Sequence, residues 1–161
     1  MTGPTSEKIK ETELAQSREK EHVIQFSIFA DNKVGRLNEL IQRIGQEDIH
    51  IMALSQLDST ECTIMRLITD YPEPTRTLLR EQAYAFSESE ILAVEISTEA
   101  DLKRVTAALV EAEINIHYLY PFVSRPRGRC ALALNVEDME FARQVLQARQ
   151  IRCLTRDDIA R

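Results

Sequence analysis

The sequence predicts an α+β fold made of two successive β-α-β-β-α-β units, and three observations predict it. The 161 residues, 43% of them hydrophobic, suffice for two small packed cores. Apolar spacing switches between the period of strands and the period of helices in the order strand, helix, strand, strand, helix, strand. That order then recurs. Residues 37–51 lie over 102–116 without a gap at a shift of 65, and both copies run from an apolar helix through an acidic residue to Ile-x-Ile.

Residues 1–21 carry only Met1, Ile9, Leu14 and Ala15 as apolar side chains, so the segment reads as a mobile tail, at most transiently helical. Unit 1 spans 22–90. It opens with HVIQFSIFA, rich in β-branched and aromatic residues and hence a strand. The turn-like DNKVG follows. Leu37, Leu40, Ile41 and Ile44 then fall on one side of a helix. DIHIMALSQLD alternates with Ile49, Ile51 and Ala53 on one face; Asp58-Ser59-Thr60 suits a hairpin turn; CTIMRLITD returns. Pro72 and Pro74 open a helix over 74–83 with Leu78 and Leu79 inward, and AYAFSE closes the unit. Unit 2 spans 91–161. Its strands are ILAVEIS, INIHYLYPFVS, RCALALNV and IRCLTRDDI. Its helices are 99–112, with Leu102, Val105 and Leu109 inward, and 138–149, with Phe141, Ala142, Val145 and Leu146 inward.

This order implies two ferredoxin-like modules in tandem, side by side, each sheet with helices on one face only. The other face is predicted to carry His50, Met52, Leu54, Met65 and Leu67 in unit 1, and Asn115, His117, Leu119, Ala131 and Ala133 in unit 2. An apolar face of that size normally meets a partner, which points to a homodimer or a hetero-complex.

Composition narrows the function. A net charge of −6 and a pI near 5.2 argue against a nucleic-acid surface. RNA binding on this strand order also needs aromatics on the third strand, and ECTIMRLIT and GRCALALNV have none. No apolar run spans a bilayer and no secretion signal precedes the first strand, so a cytoplasmic protein without membrane contact is expected. Cys62, Cys130 and Cys153 are widely spaced with no C-x-x-C pair, and read as buried thiols rather than a metal or redox site. His50 and His117 read as packed or surface histidines, and Arg125, Arg127 and Arg129 as a solvated cluster. No phosphate-cradling glycine loop and no G-x-S-x-G elbow is present, so neither catalysis nor a cofactor is expected.

The stretch FADNKVGRLNELIQRIGQEDIHIMAL, with Asp31, Asn32, Val34, Gly35 and Leu37 ahead of a helix and Ile-x-Ile, resembles the opening of an ACT domain. Val34 stands where that family often has proline. Unit 2 keeps Leu102 and Ile114-Asn115-Ile116 but has Ala100 in place of Gly35, in a shorter loop. The resemblance covers 22 to about 158. Paired units of this length are similar to small tandem ACT proteins and to the regulatory small subunit of acetolactate synthase.

The resemblance implies a non-enzymatic protein that binds a small amino acid and modulates an associated biosynthetic enzyme. It implies a site at the first loop, Asp31, Asn32, Lys33, Val34, Gly35, Arg36 and Leu37, closed by Asn115, His117 and Tyr118 from unit 2. In that site the backbone of 34–37 offers N–H groups to a carboxylate, while Asp31 and Asn32 receive an ammonium. A second reading stays open, in which Asp31 and Asn32 only cap a turn and the chain is a ligand-free regulatory subunit of an enzyme such as acetolactate synthase.

Overall fold

A computed structural model describes residues 6–161. Residues 1–5 of the expected tail lie outside the described residues, and the rest forms helix α1, Ser6–Glu21. Unit 1 contains β1 (Val23–Asp31), α2 (Arg36–Gln46), β2 (Ile51–Asp58), β3 (Cys62–Thr69) and α3 (Pro72–Glu81). Strand β4 (Ala85–Ile96) crosses the expected unit boundary. Unit 2 continues with α4 (Glu99–Glu111), β5 (Ile116–Pro121), β6 (Cys130–Val136), α5 (Met139–Ala148), β7 (Cys153–Leu154) and the short α6 (Arg156–Ile159).

The sequence predicts two separate strands, AYAFSE and ILAVEIS, where the structure has one. No glycine or proline interrupts residues 85–96, and extended backbone simply continues. The first part of β4 pairs antiparallel with β1, Val23 facing Ile91 and Phe29 facing Ala85. Its last part pairs with β6, and Val94 faces both Leu132 and Cys153, so β6 and β7 flank it on opposite edges. The result is a seven-stranded sheet in the order β2-β3-β1-β4-β6-β5, with β7 on β4. The closing segment 151–159 holds only a two-residue strand, because Thr155 and Asp158 cap each other reciprocally and start α6.

Three buried clusters organise the interior. Phe26, Ile28, Met65 and Leu67 pack under Leu40, Ile44 and Leu79 of α2 and α3. Leu92, Val94, Leu132 and Leu134 pack under Val105, Leu109 and Leu146 of α4 and α5. The repeat is visible here, since Leu40 matches Val105 and Ile44 matches Leu109, all fully buried. The third cluster joins the units: Val23, Met52, Ala53 and Ile68 meet Tyr120, Ala131, Ala133 and Leu154.

The sheet therefore curls until its helix-free faces meet. Ala53 of β2 bridges Phe122 beyond β5, and the Val123 N–H donates to the Met52 carbonyl at 2.9 Å. The apolar faces predicted to seek a second chain are turned on each other within one chain.

Two bulges revise the predicted face assignments. One interrupts β2 between Ile51 and Ala53, the other β5 between Ile116 and Tyr118, at matching places in the repeat. Each bulge reverses the side to which later residues point. Leu54 consequently lies on the helix side, opposite Leu67, and Leu67 and Met65 of the unbroken β3 lie there too, against the prediction. In unit 2, Tyr118, Tyr120 and Phe122 face unit 1, while His117 and Leu119 are exposed. Met52, Ala131 and Ala133 lie where predicted. Among the described residues no helix is long and apolar enough to cross a membrane.

Candidate ligand site at the first loop

The loop after β1 is shaped by Gly35, which caps α2 at φ 92°, in the left-handed region that glycine enters freely. Gly35 has no side-chain acceptor, so α2 begins without a side-chain cap. A hollow of about 400 Å³ abuts this end, lined by 32–38 together with Gln56 and Thr63. The Asp31 side of the same helix end lines a second hollow of about 300 Å³ with Arg36, Glu39, Arg43 and Tyr84.

Charge alternates along the loop. The Asp31 carboxylate meets Lys33 at 3.1 Å and Arg36 at 3.7 Å, and the Lys33 hydrogen bond holds its carboxyl below the usual range. Glu39 lies 2.8 Å from Arg43, whose hydrogen bond lowers it likewise. The Asn32 amide donates to the Ser59 carbonyl at 3.3 Å, tying the loop to the β2–β3 turn and leaving its own carbonyl oxygen as an acceptor. Val34 projects wholly exposed. This end of the molecule therefore presents a carboxylate with a helix N-terminus, ringed by Lys33, Arg36 and Arg43, which already share the Asp31 and Glu39 carboxylates.

Sequence reasoning brings Asp31, Asn32, Lys33, Val34, Gly35, Arg36 and Leu37 together, and the structure places all seven around the two hollows. Asn115, His117 and Tyr118 line neither. Asn115 and His117 are exposed at the start of β5, and Tyr118 lies between the units with its hydroxyl accepting from Gln25 Nε2 at 2.8 Å. Gln56 and Thr63 join the first hollow without having been singled out. The strand order held the clue, because β3 lies beside β1 in this topology and Thr63 directly faces Ala30.

The matching end of unit 2 is built differently. Helix α4 starts two residues earlier in the repeat, so Ala100, which stands for Gly35, is already helical. Thr98 caps it, accepting from the Asp101 N–H, while Asp101 accepts from the Ser97 and Thr98 N–H groups at 2.9 and 3.1 Å. Those backbone bonds hold the Asp101 carboxyl below its ordinary value. In unit 2 side chains cap the helix end that glycine leaves uncapped in unit 1, and the hollow beside it, lined by Glu95, Ser97, Asp101 and Arg104, shrinks to about 170 Å³.

Other candidates have partners. Arg127 pairs with Asp158 at 3.4 Å and Arg129 with Glu95 at 2.9 Å. His50 Nδ1 lies 3.1 Å from the buried Asp70 carboxylate.

Fold and site together define a pair of ferredoxin-like modules in which only the first keeps a glycine-opened helix end. The chain belongs to the family of the ACT domain pair, whose profile matches residues 21–161. A Bacteroides thetaiotaomicron protein of known structure is 23% identical, with a TM-score of 0.77 over 86% of this chain and 96% of that one. The ligand-free regulatory subunit of aspartate kinase from Thermus thermophilus is 13% identical, TM-score 0.56, over 80% of this chain and 90% of that one. The corresponding subunit from Thermus flavus is 14% identical, TM-score 0.52, with the same coverage. These likenesses establish the shared fold. No curated protein matches the sequence.

Proposed function

We propose that the chain is a non-enzymatic, cytoplasmic regulatory protein that binds a small amino acid at the 31–37 loop and conveys the bound state to a biosynthetic enzyme. The observation that carries this reading is the contrast between the units: α2 begins at an uncapped glycine beside a hollow, whereas α4 is capped by Thr98 and Asp101. Asp31, Asn32, Lys33 and Arg36 surround the ligand, 34–37 meet its carboxylate, and the Asn32 carbonyl takes a share of its ammonium. Asn115, His117 and Tyr118 have no part in a site within one chain. By analogy of fold with the regulatory subunits of aspartate kinase, the partner is an enzyme of amino-acid metabolism. Binding shifts that partner only by the difference in affinity between two arrangements.

Thermal melts with each of the twenty amino acids test this. A ligand at 100 times its Kd adds about 2.7 kcal/mol of stability. The same ligand should lose that effect on Gly35→Ala. Twenty unshifted melts reject the reading.

A second reading, a ligand-free subunit of an enzyme such as acetolactate synthase, is favoured by the wholly exposed Val34 and by Ile41 exposed on α2. These form the rim at which we place contact with the enzyme or with a second copy. Val34→Asp should then abolish enzyme capture and leave amino-acid melts untouched. Light scattering reads the dimer as twice 18.5 kDa.

A further inference from the structure

Arg66, on β3, is half-buried, and among the described residues no carboxylate lies within ion-pair distance of it. Other half-buried arginines are matched: Arg36 and Arg43 with Glu39, Arg76 with Glu88, Arg156 with Glu73. The Arg66 guanidinium instead lies over the Tyr118 ring, 3.7 Å from its centroid. A ring face attracts a cation but supplies no counter-charge. A charge withdrawn from water without one is costly to hold.

The strand register builds a seat around it. Ser55 and Ser27 each stand directly opposite Arg66, and Ser27 stands opposite Ser87, so one row across β2, β3, β1 and β4 reads serine, arginine, serine, serine. Directly opposed residues point to the same face with Cβ atoms about 5 Å apart. On its inner side the row is sealed by Gln25, which donates to Tyr118 and accepts from Tyr120 at 2.6 Å. On its outer side the next row is apolar: Leu57 and Phe29, both exposed, flank the half-buried Ile64.

We propose that this row is a second binding site, taking a small apolar monocarboxylate. The acid's carboxylate engages the Arg66 guanidinium through two parallel N–H···O bonds and the flanking serine hydroxyls. Its hydrocarbon part lies on Leu57, Ile64 and Phe29. The site shares no residue with the 32–38 hollow and only Phe29 with the hollow on the Asp31 side, and its polar seat stands independently of the function proposed for the first loop.

Isothermal titration of the full chain with 4-methylpentanoate, and with its neutral isostere 4-methylpentanamide, tests the site. The carboxylate should bind within about 20 mM, more weakly as salt is raised, and the amide should not. Arg66→Gln should weaken binding about tenfold or more, with Arg66→Lys intermediate. Ser55→Asp places a carboxylate opposite Arg66 and should abolish binding while the melting temperature holds or rises, which keeps the test valid even where Arg66→Gln unfolds. Gly35→Ala should leave the titration unchanged. Absence of binding, equal binding of acid and amide, or undiminished binding by Ser55→Asp overturns the proposal.

Discussion

At the scale of single residues, Gly35 and Cys153 show how backbone and burial each set chemistry. An added Cβ at Gly35 meets nothing within 4 Å, so what forbids other residues there is the φ of 92° and not space. Gly35→Ala should lower stability by about 1 kcal/mol in urea unfolding, with no change in m-value. Burial pushes the Cys153 thiol up to about 11, with Arg143 opposing. Its proton is therefore held in the folded chain at a pH where the unfolded chain has released it. The associated stability is intact below the ordinary thiol range and is lost as pH climbs from there through about 11. At pH about 8 a thiol reagent should modify the half-buried Cys62 and Cys130 promptly, and Cys153 only upon unfolding. Gly35 was readable in the sequence because few other residues suit such a turn. Arg66 was not, since its isolation from carboxylates depends on which strands lie beside β3.

At the scale of elements, capping separates the two units. Thr98→Ala removes the acceptor at the start of α4 and should destabilise the protein by about 1 kcal/mol, measured by thermal or urea melts. Changing the residue before α2 in the same sense removes no side-chain bond, because Gly35 supplies none. Helices were the most legible elements: 99–112 overruns α4 by one residue at its end only, and 138–149 exceeds α5 by one at each end. Strand existence was legible too, but strand facing was not. Alternation carries a face assignment only as far as the next bulge, and bulges at 51–53 and 116–118 leave no mark in residue type. That is why Leu54 was predicted on the wrong side; Met65 and Leu67 lie on the unbroken β3, where alternation gives two faces without saying which one the helices cover.

For the whole molecule, the join between units decides how it unfolds. Gln25 is fully buried there, and its amide oxygen accepts from the Tyr120 hydroxyl. Burial pushes the Tyr120 phenol well above its ordinary value, keeping it a donor throughout the physiological range. Tyr120→Phe leaves that oxygen without its partner and should lower stability by about 1–3 kcal/mol. Calorimetry should show the parent melting in one transition, with calorimetric and van't Hoff enthalpies equal, because the third cluster draws on both units. Two separated transitions would mean that the units melt independently. The doubling itself was plain from the 65-residue shift. That the two copies close on each other was not, because an apolar face looks the same in sequence whether its cover comes from another chain or from farther along its own.

One further consequence lies in the strand that Val94 and Ala85 have in common. One copy takes its border from residues 85–91 and the other from 92–96, so the duplication can be divided only inside this strand. A cut at either end of 85–96 awards the stretch to one fragment and strips the other of a ladder it was folded around. Recombination that swaps one half for a relative's keeps both ladders whole only where it crosses within the strand, near 91 and 92.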